Sequence, residues 1–120
     1  MTQPLTVEQL RCLELSAIIR EGLEETRFDM GTYCRRREGC QTAGCIAGYT
    51  CAVYDREAWQ SGSESLIVSS AEKLLGLSKN QVGQLFEPWW HEGPAAPAIT
   101  PAMAADTLDR LAMTGEVVWE

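Results

Sequence analysis

The chain has little positive charge. Its 10 Lys and Arg face 17 Asp and Glu, for a formal net charge of −7. That balance argues against broad nucleic-acid or membrane binding, both of which work by neutralising anions. There is one histidine, His91. Most acid–base schemes would lean on it or on one of many carboxylates, and no carboxylate pair stands out. GxGxxG, P-loop, HExxH, GxSxG and CxxC patterns are all absent, which argues against an enzyme built on those motifs without excluding a new one. No apolar run approaches the ~18 residues needed to cross a bilayer. The opening MTQPLTVEQL lacks the basic segment and apolar core of a signal peptide. The expectation is a cytoplasmic protein with mostly reduced thiols. Five cysteines are too few for a disulfide scaffold.

What is present centres on Phe28–Tyr54, FDMGTYCRRREGCQTAGCIAGYTCAVY. Cys34, Cys40, Cys45 and Cys51 are separated by five, four and five residues. Zinc sites draw ligand pairs from tighter knuckles. On one helix, Cys45 and Cys51 would stand roughly 120° apart, a poor fit to one metal. Three readings stand: zinc or an iron–sulfur cluster on Cys34, Cys40 and Cys45, with Cys51 or His91 as a further ligand; a Cys40–Cys45 disulfide; or thiols packed as small hydrophobes, the commonest fate of free cysteine.

The spacing of Ile46, Tyr49 and Val53 predicts a central, buried helix over Thr42–Tyr54, with Thr42 as its N-cap. Gly44 and Gly48 each cost such a helix roughly 1 kcal/mol against alanine. Close approach of a neighbouring element would offset that. Cys40 and Cys45 fall near the helix N-terminus, where the dipole favours a thiolate, which makes them the candidate reactive thiols.

The run F-D-M-G-T-Y followed by C-Q-T-A-G-C-I-A-G resembles a family of small uncharacterised phage and bacterial proteins. Their pattern is F-x-M-x-x-W, then C-G-T-x-x-C-I-A-G. The resemblance continues through A-E-K-L-L-G-L-S, I-T-P-A-x-A-A and the closing T-G-E-V-V-W, and so covers most of the chain. Gln41 and Tyr33 depart from the pattern, where the family has glycine and tryptophan. The resemblance implies a shared fold unit and a phage or mobile-element context, and it supplies no catalytic residues.

The remaining segments read as helices and connections. Residues 6–25 form a first helix with a Thr6–Gln9 capping box, a Leu5–Leu10 staple and an inner stripe of Leu10, Leu13, Ala17 and Ile18. Cys12 lies beside that stripe. Arg35, Arg36 and Arg37 sit on a loop, able to grip a phosphate or an acidic partner or simply to be solvated. Residues 55–65 read as a polar loop. Ser69 with Glu72 and Ser78 with Gln81 are capping-box patterns, so 69–76 and 78–86 form two short helices hinged at Gly76. That pair resembles a DNA-reading helix-turn-helix that would present Lys79, Asn80, Gln81 and Gln84. Glu72 stands where a small residue should pack, and a structural hairpin fits better. Pro88 ends the second helix. Trp89, Trp90 and His91 follow on a loop, either as a binding patch or as a lid on the core. Thr100 caps and Pro101 opens a last helix over 100–114, with core residues Ala104, Leu108, Leu111 and Ala112. Gly115 stops it, and Val117–Trp119 forms a short extended end.

The expected fold is all-α: a single domain, 1–120, of about five helices around the Thr42–Tyr54 helix. The expected function is that of a small acidic accessory or inhibitor-like protein of phage or mobile-element origin. It would bind a protein partner through Trp89 and Trp90 or Arg35–Arg37, with no nucleic acid, membrane, cofactor or catalytic residue. The alternatives are a thiol or zinc module on residues 34–51 and a helix-turn-helix DNA binder on residues 69–86.

Overall fold

The computed structural model describes residues 5–21, 26–28, 35–37, 41–61, 63–88, 94 and 98–119. Among the described residues there are six helices, one more than expected: α1 (Val7–Glu21), α2 (Ile46–Tyr54), α3 (Arg56–Ser61), α4 (Glu64–Leu75), α5 (Lys79–Phe86) and α6 (Pro101–Thr114). The helical class inferred from periodicity is the class of the molecule. Before α2 the backbone adds a small sheet of three short strands, β1 (Thr26–Phe28), β2 (Arg35–Arg37) and β3 (Gln41–Gly44). β3 is central, parallel to β1 (Thr26 opposite Thr42) and antiparallel to β2 (Arg36 opposite Thr42).

The sheet corrects two expectations. Arg35, Arg36 and Arg37 lie on strand β2 rather than a loop. The central helix begins at Ile46, because Gln41–Gly44 is paired on both edges. A ladder on two sides outcompetes a helix start that contains Gly44, a poor helix former. The cap of α2 is therefore Cys45, in extended conformation, and its carbonyl accepts the first helical bond from the Tyr49 N–H at 2.8 Å.

α2 is buried from Ile46 through Ala52, all round rather than along one stripe. It packs against α4, α3, α1, α5, β1 and β3. α6, expected beside it, packs chiefly on α1. Thr50 stays satisfied inside the core by donating to the Ile46 carbonyl at 2.7 Å.

Cap chemistry sorts the remaining elements. Asp55 ends α2 and opens α3, accepting the Ala58 N–H at 3.2 Å. The stretch read as a polar loop is thus a short helix that buries Ala58 and Trp59. α4 starts at Ser63, whose hydroxyl accepts from the Leu66 N–H, so the Ser69–Glu72 pattern is mid-helix and caps nothing. It ends as expected at Gly76, in the left-handed region (φ 65°), with the Leu77 N–H returning to the Glu72 carbonyl. The capping boxes at Thr6–Gln9 and Ser78–Gln81 both form. Thr100, Pro101 and Gly115 bound α6 as the sequence predicts, and Ala104, Leu108, Leu111 and Ala112 are all buried.

α1 differs most from expectation on its surface. Its buried residues are Cys12, Leu15, Ser16 and Ile19. Leu10 is 53% exposed, Ala17 is exposed, and Leu13 and Ile18 are half-buried. Apolar residues of α1 fall on more than one side of the helix, so periodicity alone admits two stripes. α6 selects between them: Ser16 donates to Asp109 at 2.5 Å, Gln9 donates to the Ala112 carbonyl at 2.8 Å, and Arg20 pairs with Asp106 and Asp109.

Candidate functional site

The cysteine centre is packing where the structure describes it. Cys12, Cys45 and Cys51 are buried and in no disulfide. Burial pushes the Cys45 thiol up to about 12, although the backbone N–H groups of Gly48 and Ala47 pull the other way. The helix N-terminus does favour a thiolate, but desolvation outweighs it. Burial thus disfavours the Cys45 thiolate at neutral pH. Cys51 donates its S–H to the Ile67 carbonyl at 3.3 Å, which ties α2 to α4. Cys12 is raised to about 11, by burial first and then by the charge of Glu8. Among the described residues no group of three or more His, Cys, Asp or Glu could hold a metal ion. Cys34, Cys40 and His91, the other candidate ligands, lie outside the described residues, as do Trp89 and Trp90.

The helical hairpin of α4 and α5 forms, but part of its presumed reading face is occupied. The Gln81 carboxamide accepts from the Ser78 N–H at 2.8 Å and donates to the Gly115 carbonyl at 2.9 Å. The Trp119 indole N–H donates to the Gln84 carbonyl at 2.7 Å. Val117 and Trp119 pack on the core as the expected extended end, laid along α5. Lys79 and Asn80 remain exposed.

The feature that sequence reasoning missed lies at the seam of α1 and α6. Val7, Leu10 and Ala17 fall at three- and seven-residue steps on the outward side of α1, and Val7 and Leu10 are 58% and 53% exposed. Met113, 66% exposed, stands on the edge of α6 that carries Asp109 and faces α1. The Gln9–Ala112 hydrogen bond joins the residues that precede Leu10 and Met113 in sequence. Leu5, 37% exposed, precedes them, so the expected Leu5–Leu10 staple leaves both side chains partly in water. Exposed carboxylates border the patch: Glu14 and Glu21 on the same side of α1, and Asp106 on α6, the last paired with Arg20. One signal was available beforehand. Met113 is out of phase with the Ala104–Leu108–Leu111 stripe, so it could not join the core.

No protein-family model, curated protein or solved structure matches the chain. Among the described residues no helix is long and apolar enough to cross a membrane.

Proposed function

We propose that this is a small acidic interaction protein, accessory or inhibitor-like, that docks on another protein through the α1–α6 seam. Its origin in a phage or mobile element and a cytoplasmic place of action belong to the same reading. The supporting observation is the set of large apolar side chains left in water after the core has closed: Val7 and Leu10 of α1 with Met113 of α6. Single exposed apolar residues are ordinary, whereas grouped ones with a polar margin mark interaction surfaces. Glu14 and Glu21 lend that margin negative charge, and the whole chain carries −7. The partner surface that fits is an apolar ridge bordered by Lys and Arg, and charge complementarity of this kind speeds and orients docking.

The test is a titration of the ¹⁵N-labelled protein with an amphipathic helical peptide carrying Leu on one face and Lys on the other. A scrambled peptide of equal charge serves as control. The expected result is saturable shifts at Val7, Leu10, Glu14 and Met113, absent with the scrambled peptide and lost in L10D/M113D. Equal shifts from both peptides, or shifts centred elsewhere, overturn the reading.

A further inference from the structure

A second feature, independent of the seam, lies between α3 and α4. The two helices run antiparallel from the turn at Ser63 and leave a cleft of about 380 Å³. Asp55, Glu57, Ala58 and Ser61 line one wall, and Leu66, Ser69, Ser70 and Lys73 the other. Its size falls in the range of small-ligand sites, which begin at about 300 Å³.

The charges within it are segregated. In an antiparallel hairpin Asp55 and Glu57 lie opposite the later turns of α4, and the Ser70 hydroxyl confirms the register by donating to Asp55 at 2.5 Å. Lys73 stands one turn beyond Ser70, at the same end. Ala58, Ser61 and Leu66 run toward the closed end at the turn, where Leu66 keeps 55% of its surface exposed. Lys73 and Glu57 make no ion pair among the described residues. Opposite charges therefore face one cleft without neutralising each other, and an apolar wall continues away from them. Asp55 is held charged to lower pH than usual, by the Ser70 hydrogen bond first and then by the Ala58 N–H. It is thus a poor general base for Ser70, and the arrangement suits binding rather than acyl transfer.

We propose that this cleft binds a small zwitterion of the amino-acid class with an aliphatic side chain. The ligand ammonium meets Glu57 and Asp55. Its carboxylate meets the Lys73 ammonium and the Ser69 hydroxyl, and its side chain lies along Leu66 and Ala58. Each ionic contact is a charge-assisted hydrogen bond, so both charges of the ligand are needed for full affinity.

The experiment is an NMR titration of the full chain with L-leucine, followed by leucinamide and N-acetyl-leucine, each of which lacks one charge. Leucine is expected to shift the amides of Ala58, Leu66, Ser69 and Lys73 saturably, and each half-charged analogue to bind at least about tenfold more weakly. Lys73→Met and Glu57→Gln should each weaken leucine binding by a similar factor. Neither side chain has a hydrogen bond or ion pair among the described residues, so melting temperature should stay unchanged. Asp55 is left intact because it caps α3. The absence of saturable shifts, equal binding of leucinamide, or undiminished leucine binding in Lys73→Met would each overturn the proposal.

Discussion

α2 and α1 touch, yet they use apolar residues differently. α2, IAGYTCAVY, contains no charged side chain, is covered on every side, and is buried without a break from Ile46 to Ala52. α1 carries Glu8, Arg11, Glu14, Arg20 and Glu21 among its apolar residues. It buries Cys12, Leu15, Ser16 and Ile19 and leaves Val7 and Leu10 outside. In α2, then, an apolar residue means packing, and this includes Cys51 and the cap residue Cys45. In α1 the core closes without Leu10. Its exposure, like that of Val7, is surplus to folding.

The largest expected effect tests this contrast directly. Tyr49 and Leu10 are both apolar helix residues, but Tyr49 is 1% exposed. Tyr49→Ala should cost about 3–5 kcal/mol, as for other large buried side chains, whereas Leu10→Ala should stay within about 0.5 kcal/mol. Urea denaturation of the two variants measures both. Comparable losses would place Leu10 in the core and dissolve the distinction.

Next comes pH. The Cys12 and Cys45 thiols are raised in the fold to about 11 and about 12 from an ordinary 9.0. Above pH 9 the unfolded chain releases protons that the native state keeps. Stability should therefore be full below that pH and fall as pH rises from 9 toward about 12. Cys45→Ala should flatten part of the fall. A flat alkaline profile would mean that the thiols of the centre are accessible.

A smaller effect separates the two left-handed glycines. At Gly76 a Cβ would come within 2.8 Å of Glu8 Cγ, while at Gly115 it would meet nothing within 4 Å. Both alanine variants should lose about 1–2 kcal/mol to backbone strain, with Gly76→Ala losing more because α1 must also yield. Thermal melts of the pair should rank them in that order. Equal losses would mean that the Glu8 side chain swings away at little cost.

Local chemistry was the most legible part of the sequence. Capping boxes at Thr6–Gln9 and Ser78–Gln81, the Thr100–Pro101 start and the stops at Gly76 and Gly115 depend only on neighbours within four residues, and all of them form. The α6 stripe was equally plain, because Ala104, Leu108, Leu111 and Ala112 are the only phase that excludes charge. What failed depended on distant partners. Thr42 has the chemistry of an N-cap, but pairing with β1 and β2 claims it for a strand. Ser69 and Glu72 have the spacing of a capping box, but Ser63 starts that helix two turns earlier. The α1 stripe was ambiguous until Asp109 and Ala112 fixed which side faces inward. The site suffered most. An exposed apolar residue looks like a core residue until the core is known, and the cleft between α3 and α4 requires a helix where the composition suggested a loop.

One measurement tests the central claim most directly: photo-crosslinking from a benzoylphenylalanine placed at Leu10, compared with the same probe at Lys79 on α5. Both positions are exposed, so accessibility does not separate them. The account predicts that in bacterial lysate Leu10 yields one discrete adduct with a basic protein, weakened by salt and lost when Met113→Asp is added, while Lys79 yields none. The same adduct from Lys79, or no adduct from Leu10 alongside a discrete one from Lys79, would contradict it and move the working surface away from the α1–α6 seam.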